Sequence, residues 1–237
     1  IDRTDSTYPA LLRGTDEGKD QAYFLWGLPR EMLSLLYFPL GELTKTEVRE
    51  RARTLGLVTA DKPESQEICF VPTGNYRDLL ETRLPLRHPA FRPGDIVSVD
   101  GEVLGCHDGY ANFTVGQRKG LGGGFPYRVY VISILPESRE VVVGTIEDCA
   151  SAGMEVTEIN WMAEPPVAGS TLRVQIRHQA PDVPATVTSI DDRLALAFQE
   201  PQQAVTPGQS AVFFEADRLL GGGQIERTLR AIPVANA

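Results

Sequence analysis

Two periodicities divide the chain near residue 90. Up to that point apolar residues recur at helical spacing; beyond it they alternate in twos between turn signals. In "LTKTEVRERARTLGL", Thr44 and Glu47 have the spacing of a capping box and Leu43 and Val48 that of a hydrophobic staple. Val48, Ala52 and Leu55 share a face there, and Gly56 suits the C-terminal stop. "PREMLSLLYF" predicts a second helix with Pro29 at its first position and Pro39 ending it. "NYRDLLETRL" predicts a short third helix with Tyr76, Leu79 and Leu80 on one side, closed by Pro85.

After "RHPAFRPGD" the pattern is that of an all-β region. "DIVSVDGEVLG" turns on Asp100-Gly101, "RVYVISILPESREVVVG" near Pro136 to Ser138, and "ATVTSIDDRLALAF" on Asp191-Asp192. The tail "VTPGQSAVFFEADRLLGGGQIE" reads as the last two strands of a barrel, with Pro207-Gly208 as a turn and Gly221 to Gly223 permitting close backbone approach. The fold expected is mixed and mainly β. A helical end-piece occupies residues 1–65, a small β-rich central unit 66–150, and a C-terminal β-barrel 151–237. The segment 163-AEPPVAG-169 marks either a module boundary or a loop within one module, and a boundary near Asp148 to Gly153 is preferred.

Charge complicates this picture. The net charge of −9 speaks against sequence-independent binding to nucleic acid, which relies on clustered Lys and Arg. Local distribution differs from the total: Arg118, Lys119 and Arg128 lie close together, as do Arg173 and Arg177. Apolar runs such as "VYVISIL" fall far short of the roughly 20 residues of a membrane-spanning helix. Three scattered cysteines, Cys69, Cys106 and Cys149, form no C-x-x-C pair, which argues against a disulfide framework or structural zinc and favours a reducing, cytoplasmic setting. The three histidines show no metal-site spacing, so no metal site is expected. The chain opens on Ile1 without the pattern of a signal peptide, and upstream residues are expected to be missing.

Four stretches are candidates for chemistry. "VGQRKGLGGGFP" offers glycine-freed N–H groups beside Arg118 and Lys119, suited to an anion or simply to a flexible hairpin loop; it lacks the order of a P-loop. Lys19, Asp20 and Gln21 precede an apolar aromatic run and combine a cation, an anion and an amide able both to donate and to accept, or form an ordinary loop. Gln209 sits in a turn, where a glutamine is a nucleotide contact or merely solvated. Cys69, in "ESQEICFVPTG", is either a buried small hydrophobe or a nucleophile, while Cys106 and Cys149 read as structural or incidental thiols.

Taken in order, "GKDQAYFL", "SQEICFV", "FTVGQRKGLG", "QIRHQAPD" and "AVTPGQSAVFF…LGGGQIE" resemble the tRNA-specific 2-thiouridylases, which place sulfur on C2 of the wobble uridine. The resemblance runs from about Leu11 to Arg227. It implies that Cys69 carries the transferable sulfur as a persulfide, that Lys19, Asp20 and Gln21 contact tRNA near the target base, and that Arg177, His178 and Gln209 contact tRNA from the barrel. In such a reaction ATP adenylates the C2 oxygen, Mg accompanying it; the persulfide sulfur attacks, the oxygen leaves as AMP, and a second cysteine completes release through a disulfide. A sulfur-donor protein and tRNA are the implied partners. The family's N-terminal adenine nucleotide α-hydrolase domain carries an S-G-G-x-D-S loop for ATP and a D-x-x-C cysteine, and neither string occurs in this sequence. Residues 1–65 resemble the end of that α/β domain, and the chain alone is expected not to thiolate tRNA. Two alternatives stay open: a non-catalytic RNA-binding barrel module in which Cys69 is structural, and a β-barrel protein unrelated to RNA.

Overall fold

The computed structural model describes residues 1–4, 9–63, 76–85, 87–122, 124–125 and 127–230. They hold three α-helices: α1 (Ala22–Leu25), α2 (Lys45–Thr54) and α3 (Tyr76–Arg83). Ten strands follow: β1 (Gly94–Ser98), β2 (Val103–His107), β3 (Tyr130–Leu135), β4 (Glu140–Gly144), β5 (Ala150–Trp161), β6 (Thr171–Gln175), β7 (Val183–Ile190), β8 (Leu194–Gln203), β9 (Ser210–Glu215) and β10 (Arg218–Arg230). The fold is therefore mainly β with few helices, as the alternation indicates. No helix among the described residues is long and apolar enough to cross a membrane.

The chain divides into two compact units, 63–150 with 202–205, and 1–62 with 151–201 and 206–237. In the smaller, β1 pairs antiparallel with β2 across the Asp100-Gly101 turn and parallel with β4, and β4 pairs antiparallel with β3, giving the order β2-β1-β4-β3. Ile96, Val131, Val141 and Val143 form its core with Leu121 and Val129. In the larger unit six strands close into a barrel in the order β10-β5-β8-β7-β6-β9. The segment 163–169 is the loop between β5 and β6 within this barrel.

Burial on two strands shows how the larger unit is built. Along β8, Leu194, Leu196 and Phe198 are buried and their neighbours are not, the period expected of a strand with one covered face. On β9, Ala211, Val212, Phe213 and Phe214 are all buried, so both faces are covered. The second cover is the N-terminal segment: Val212 and Phe214 cluster with Leu11, Ala22, Tyr23, Leu33, Met162 and Leu219. Backbone bonds fix the same docking, from Leu219 N–H to the Leu11 carbonyl at 2.8 Å and from Arg13 N–H to the Asp217 carbonyl at 2.9 Å. The Asn160 side-chain amide adds donations to the carbonyls of Trp26 at 2.6 Å and Leu28 at 2.8 Å. Glycine is required on β10 beneath this segment, because a Cβ at Gly222 would lie 2.7 Å from Trp26 Cγ and 2.9 Å from the Ala211 carbonyl oxygen.

The N-terminal third is less helical than its periodicity predicts. Helix α2 has the expected capping box, with Thr44 N–H donating to Glu47 Oε2 at 2.7 Å and Glu47 N–H to Thr44 Oγ1 at 3.3 Å, and Gly56 at φ +66° beyond its end. No residue of α2 is fully buried, however: Val48 and Ala52 on its apolar face are half-buried, and Leu55 at its end is exposed. The helix predicted from Pro29 is only a 3-10 turn over Arg30–Ser34, with Pro29 extended in front of it. One tight turn suffices to drive Leu33 fully into the core, while Leu35 and Tyr37 remain exposed, so tertiary packing rewards no further helix.

Candidate functional site

The larger unit draws together three sequence-distant groups singled out above. Tyr23, buried at the start of α1, donates its hydroxyl to the Ser210 carbonyl at 3.0 Å, next to Gln209. Its ring lies 5.9 Å from that of His178, and the His178 ring lies 4.5 Å from that of Phe24. The Lys19 to Gln21 stretch, the Arg177-His178 turn after β6 and the Gln209 turn before β9 thus meet around two aromatic residues. Burial pushes the Tyr23 phenol above its ordinary value, so it stays a neutral donor.

The polar residues of this region have unequal freedom. Asp20 is spent inside the protein: its Oδ1 accepts from the backbone N–H groups of Gly14 and Ala22, both at 3.0 Å, and its Oδ2 from Arg13 Nη1 at 3.1 Å. Only 10% of its side chain is exposed. Arg13 also donates from Nη2 to Asp182 Oδ2 at 2.8 Å and from Nη1 to Gln175 Oε1 at 3.2 Å, and its guanidinium lies 3.5 Å above the Phe214 ring. Arg173, grouped with Arg177 by sequence, is committed to Asp182 through Nε at 2.6 Å. Lys19, Gln21 and Arg177 are exposed.

Gln209 is held by its backbone. Its N–H donates to the Thr206 carbonyl at 3.2 Å, and its own carbonyl accepts from Ile225 N–H at 2.8 Å. Its side-chain Oε1 is buried without a hydrogen-bond partner. Leaving a buried carbonyl unpaired costs about 1–3 kcal/mol.

Arg118 and Lys119 belong to the smaller unit. The Gln117 side chain braces their turn, its Oε1 accepting from Thr114 N–H at 2.9 Å and its Nε2 donating to the Lys119 carbonyl at 2.8 Å. Gly116 and Gly120 supply positive φ angles on either side. A hollow of about 370 Å³ beside it is lined by Arg118 and Arg128 together with Phe125 and Tyr127. Arg118, Lys119 and Arg128 form no ion pair among the described residues.

Cys69 lies outside the described residues. The other two thiols are free, Cys106 exposed and Cys149 buried. Burial, helped by the adjacent Asp148 and Glu147 carboxylates, pushes the Cys149 thiol up and disfavours its thiolate, which suits a packing role. Arg13, Asp182, Phe24 and Asn160 were not singled out by sequence. Asp182 stood within "QIRHQAPD" and Phe24 within "GKDQAYFL", but the bond of Asp182 to Arg13 and the ring contact of Phe24 with His178 join segments far apart along the chain.

Three family models match successive stretches: "tRNA methyl transferase HUP domain" over residues 2–73, "tRNA methyl transferase PRC-barrel domain" over 84–145 and "Aminomethyltransferase beta-barrel domain" over 151–225. Among curated relatives, the tRNA-specific 2-thiouridylase MnmA of Carboxydothermus hydrogenoformans is 49% identical over 222 residues, covering 92% of this chain and 60% of that protein. The protein of the same name from Rhodospirillum centenum is 44% identical over 240 residues, 98% of this chain and 60% of that one. The chain thus spans about three-fifths of the length of the curated relatives it matches.

Proposed function

Because this chain belongs to the family of tRNA-specific 2-thiouridylases, we propose that it holds tRNA and delivers sulfur to C2 of the wobble uridine as part of a sulfurtransferase. The observation that carries the tRNA-holding part is the convergence of Lys19 to Gln21, Arg177-His178 and Gln209 around Tyr23. Lys19, Gln21 and Arg177 face the tRNA, with the half-buried Gln209 contacting it from the turn before β9. Asp20, whose carboxylate is fully engaged by Arg13, Gly14 and Ala22, positions its two neighbours. Arg118 and Lys119 offer phosphate contacts on the smaller unit.

In this reading Cys69 carries the outer sulfur of a persulfide loaded by a donor protein. The outer sulfur bonds to C2 of the activated uridine as the C2–O bond breaks. A second thiolate then attacks Sγ of Cys69, breaking the S–S bond, forming a disulfide and leaving the sulfur on the base. Thiolate attack of this kind needs a deprotonated, accessible sulfur. ATP, suggested by the family, finds no S-G-G-x-D-S cradle in residues 1–237, so no step through it is assigned to these residues.

The test is the 2-thiouridine content of bulk tRNA, measured by mass spectrometry in cells whose only full-length gene carries Cys69→Ser, with Cys106→Ser as control. Complete loss with the first and retention with the second is the expected result. Retention in both would make Cys69 a packing residue and leave the chain an RNA-binding module.

A further inference from the structure

Phe24 has no part in the reading above, yet it is the most conspicuous surface residue of that region. Its neighbours Ala22 and Tyr23 are buried, while Phe24 itself is 58% exposed. A single exposed phenylalanine is ordinary; one held by two rings is less so. The Phe24 ring lies 4.5 Å from His178 at 45° and edge-on to Tyr23 at 5.4 Å and 85°. Tyr23 is in turn pinned to the Ser210 carbonyl. The entropy of fixing this aromatic group is thus already spent in the fold, and its open face stands ready for a partner.

The surroundings indicate which partner. Gln21, three residues before Phe24, and Arg177, next to His178, are exposed, so an aromatic face is bordered by an amide and a cation. An apolar peptide would want a continuous apolar groove, whereas a flat ring beside a hydrogen-bonding group and a positive charge matches an unpaired nucleobase with its phosphate. Resting on the tRNA-binding reading, we propose that Phe24, braced by His178 and Tyr23, is a stacking platform for one splayed-out base of the bound tRNA. Stacking on a ring tolerates any base, so the platform adds affinity and placement rather than sequence choice.

The experiment measures the Kd of an unmodified tRNA transcript with a wobble uridine, at several salt concentrations. The proteins compared are wild type, Phe24→Ala, Phe24→Leu, Phe24→Tyr and Arg177→Ala. Phe24→Ala and Phe24→Leu are expected to weaken binding about tenfold with an unchanged salt slope, while Phe24→Tyr stays within about twofold of wild type. Arg177→Ala is expected to lower the slope of log K against log salt by about one. Wild-type affinity in Phe24→Ala alongside a weakened Arg177→Ala would overturn the platform and leave the tRNA reading standing. Wild-type affinity in Phe24→Leu would mean apolar contact without stacking and overturns it as well. Failure of the wild type to bind tRNA at low salt would remove the tRNA reading itself. Phe24 is exposed, and an unchanged thermal midpoint in each variant separates binding loss from misfolding.

Discussion

In the larger unit Arg13 and Arg173 share the carboxylate of Asp182, and Arg13 also grips Asp20. In the smaller unit Arg118, Lys119 and Arg128 stand around a glycine-bent turn and its hollow with no acid paired to them among the described residues. The same residue types thus serve as internal fasteners in one place and as available charge in another. Counting charges along the chain cannot separate the two uses, because an ion pair takes up one acid and one base together and leaves the net −9 as it was.

The largest effect that would test this contrast is on stability. Arg13→Ala leaves Asp20 and Asp182 facing each other's surroundings without their shared cation, and only 20% of the Arg13 side chain is exposed. Urea unfolding is expected to show a loss of about 3 kcal/mol. Arg118→Ala is expected to change the same quantity by no more than about 0.5 kcal/mol. Equal losses would erase the distinction between fastener and free charge.

A smaller effect concerns Tyr23. Tyr23→Phe removes the hydrogen bond to the Ser210 carbonyl, worth about 1 kcal/mol. The phenol's folded value is raised by burial, so the neutral form is favoured in the folded state. Its contribution is complete below the unfolded tyrosine value of about 10 and is lost as pH climbs through the folded value. Wild type should therefore lose stability above that point more steeply than Tyr23→Phe, as read from thermal midpoints across alkaline buffers. Parallel curves would place the alkaline sensitivity elsewhere.

The smallest effect sharpens the role of the free cations. The double change Arg118→Ala with Lys119→Ala is expected to leave the thermal midpoint unchanged while reducing the salt slope of tRNA binding by about two. An unchanged slope would show that the turn meets no phosphate.

Much of the β architecture was legible because turn chemistry is local. Asp100-Gly101, Asp191-Asp192 and the capping pair Thr44 and Glu47 each announce themselves within a few residues. The 3-10 turn at Arg30–Ser34 was misread as a helix because its apolar spacing matches both, and the choice was made by Leu33 reaching the barrel. The unbroken apolar run in β9 had its cause about two hundred residues earlier, in Leu11 and Tyr23. Candidate site residues could be named where the family resemblance gives a motif position a role, as for Arg177 and Gln209. Arg13 and Phe24 were not, since what distinguishes them is a contact across the fold and not a neighbour in the chain.

The cover that residues 11–33 form over β9 also has a consequence in time. Val212, Phe214 and Leu219, against which Leu11 and Tyr23 pack, are translated some two hundred residues after them. At about 5–20 residues per second, the earlier residues wait roughly 10–40 s on the ribosome before their seat exists. During that interval an apolar stretch must stay unburied or be sheltered by other means. Nascent chains of this protein should therefore be open to chaperones and proteases along residues 11–33 until the strands that bury them have been made.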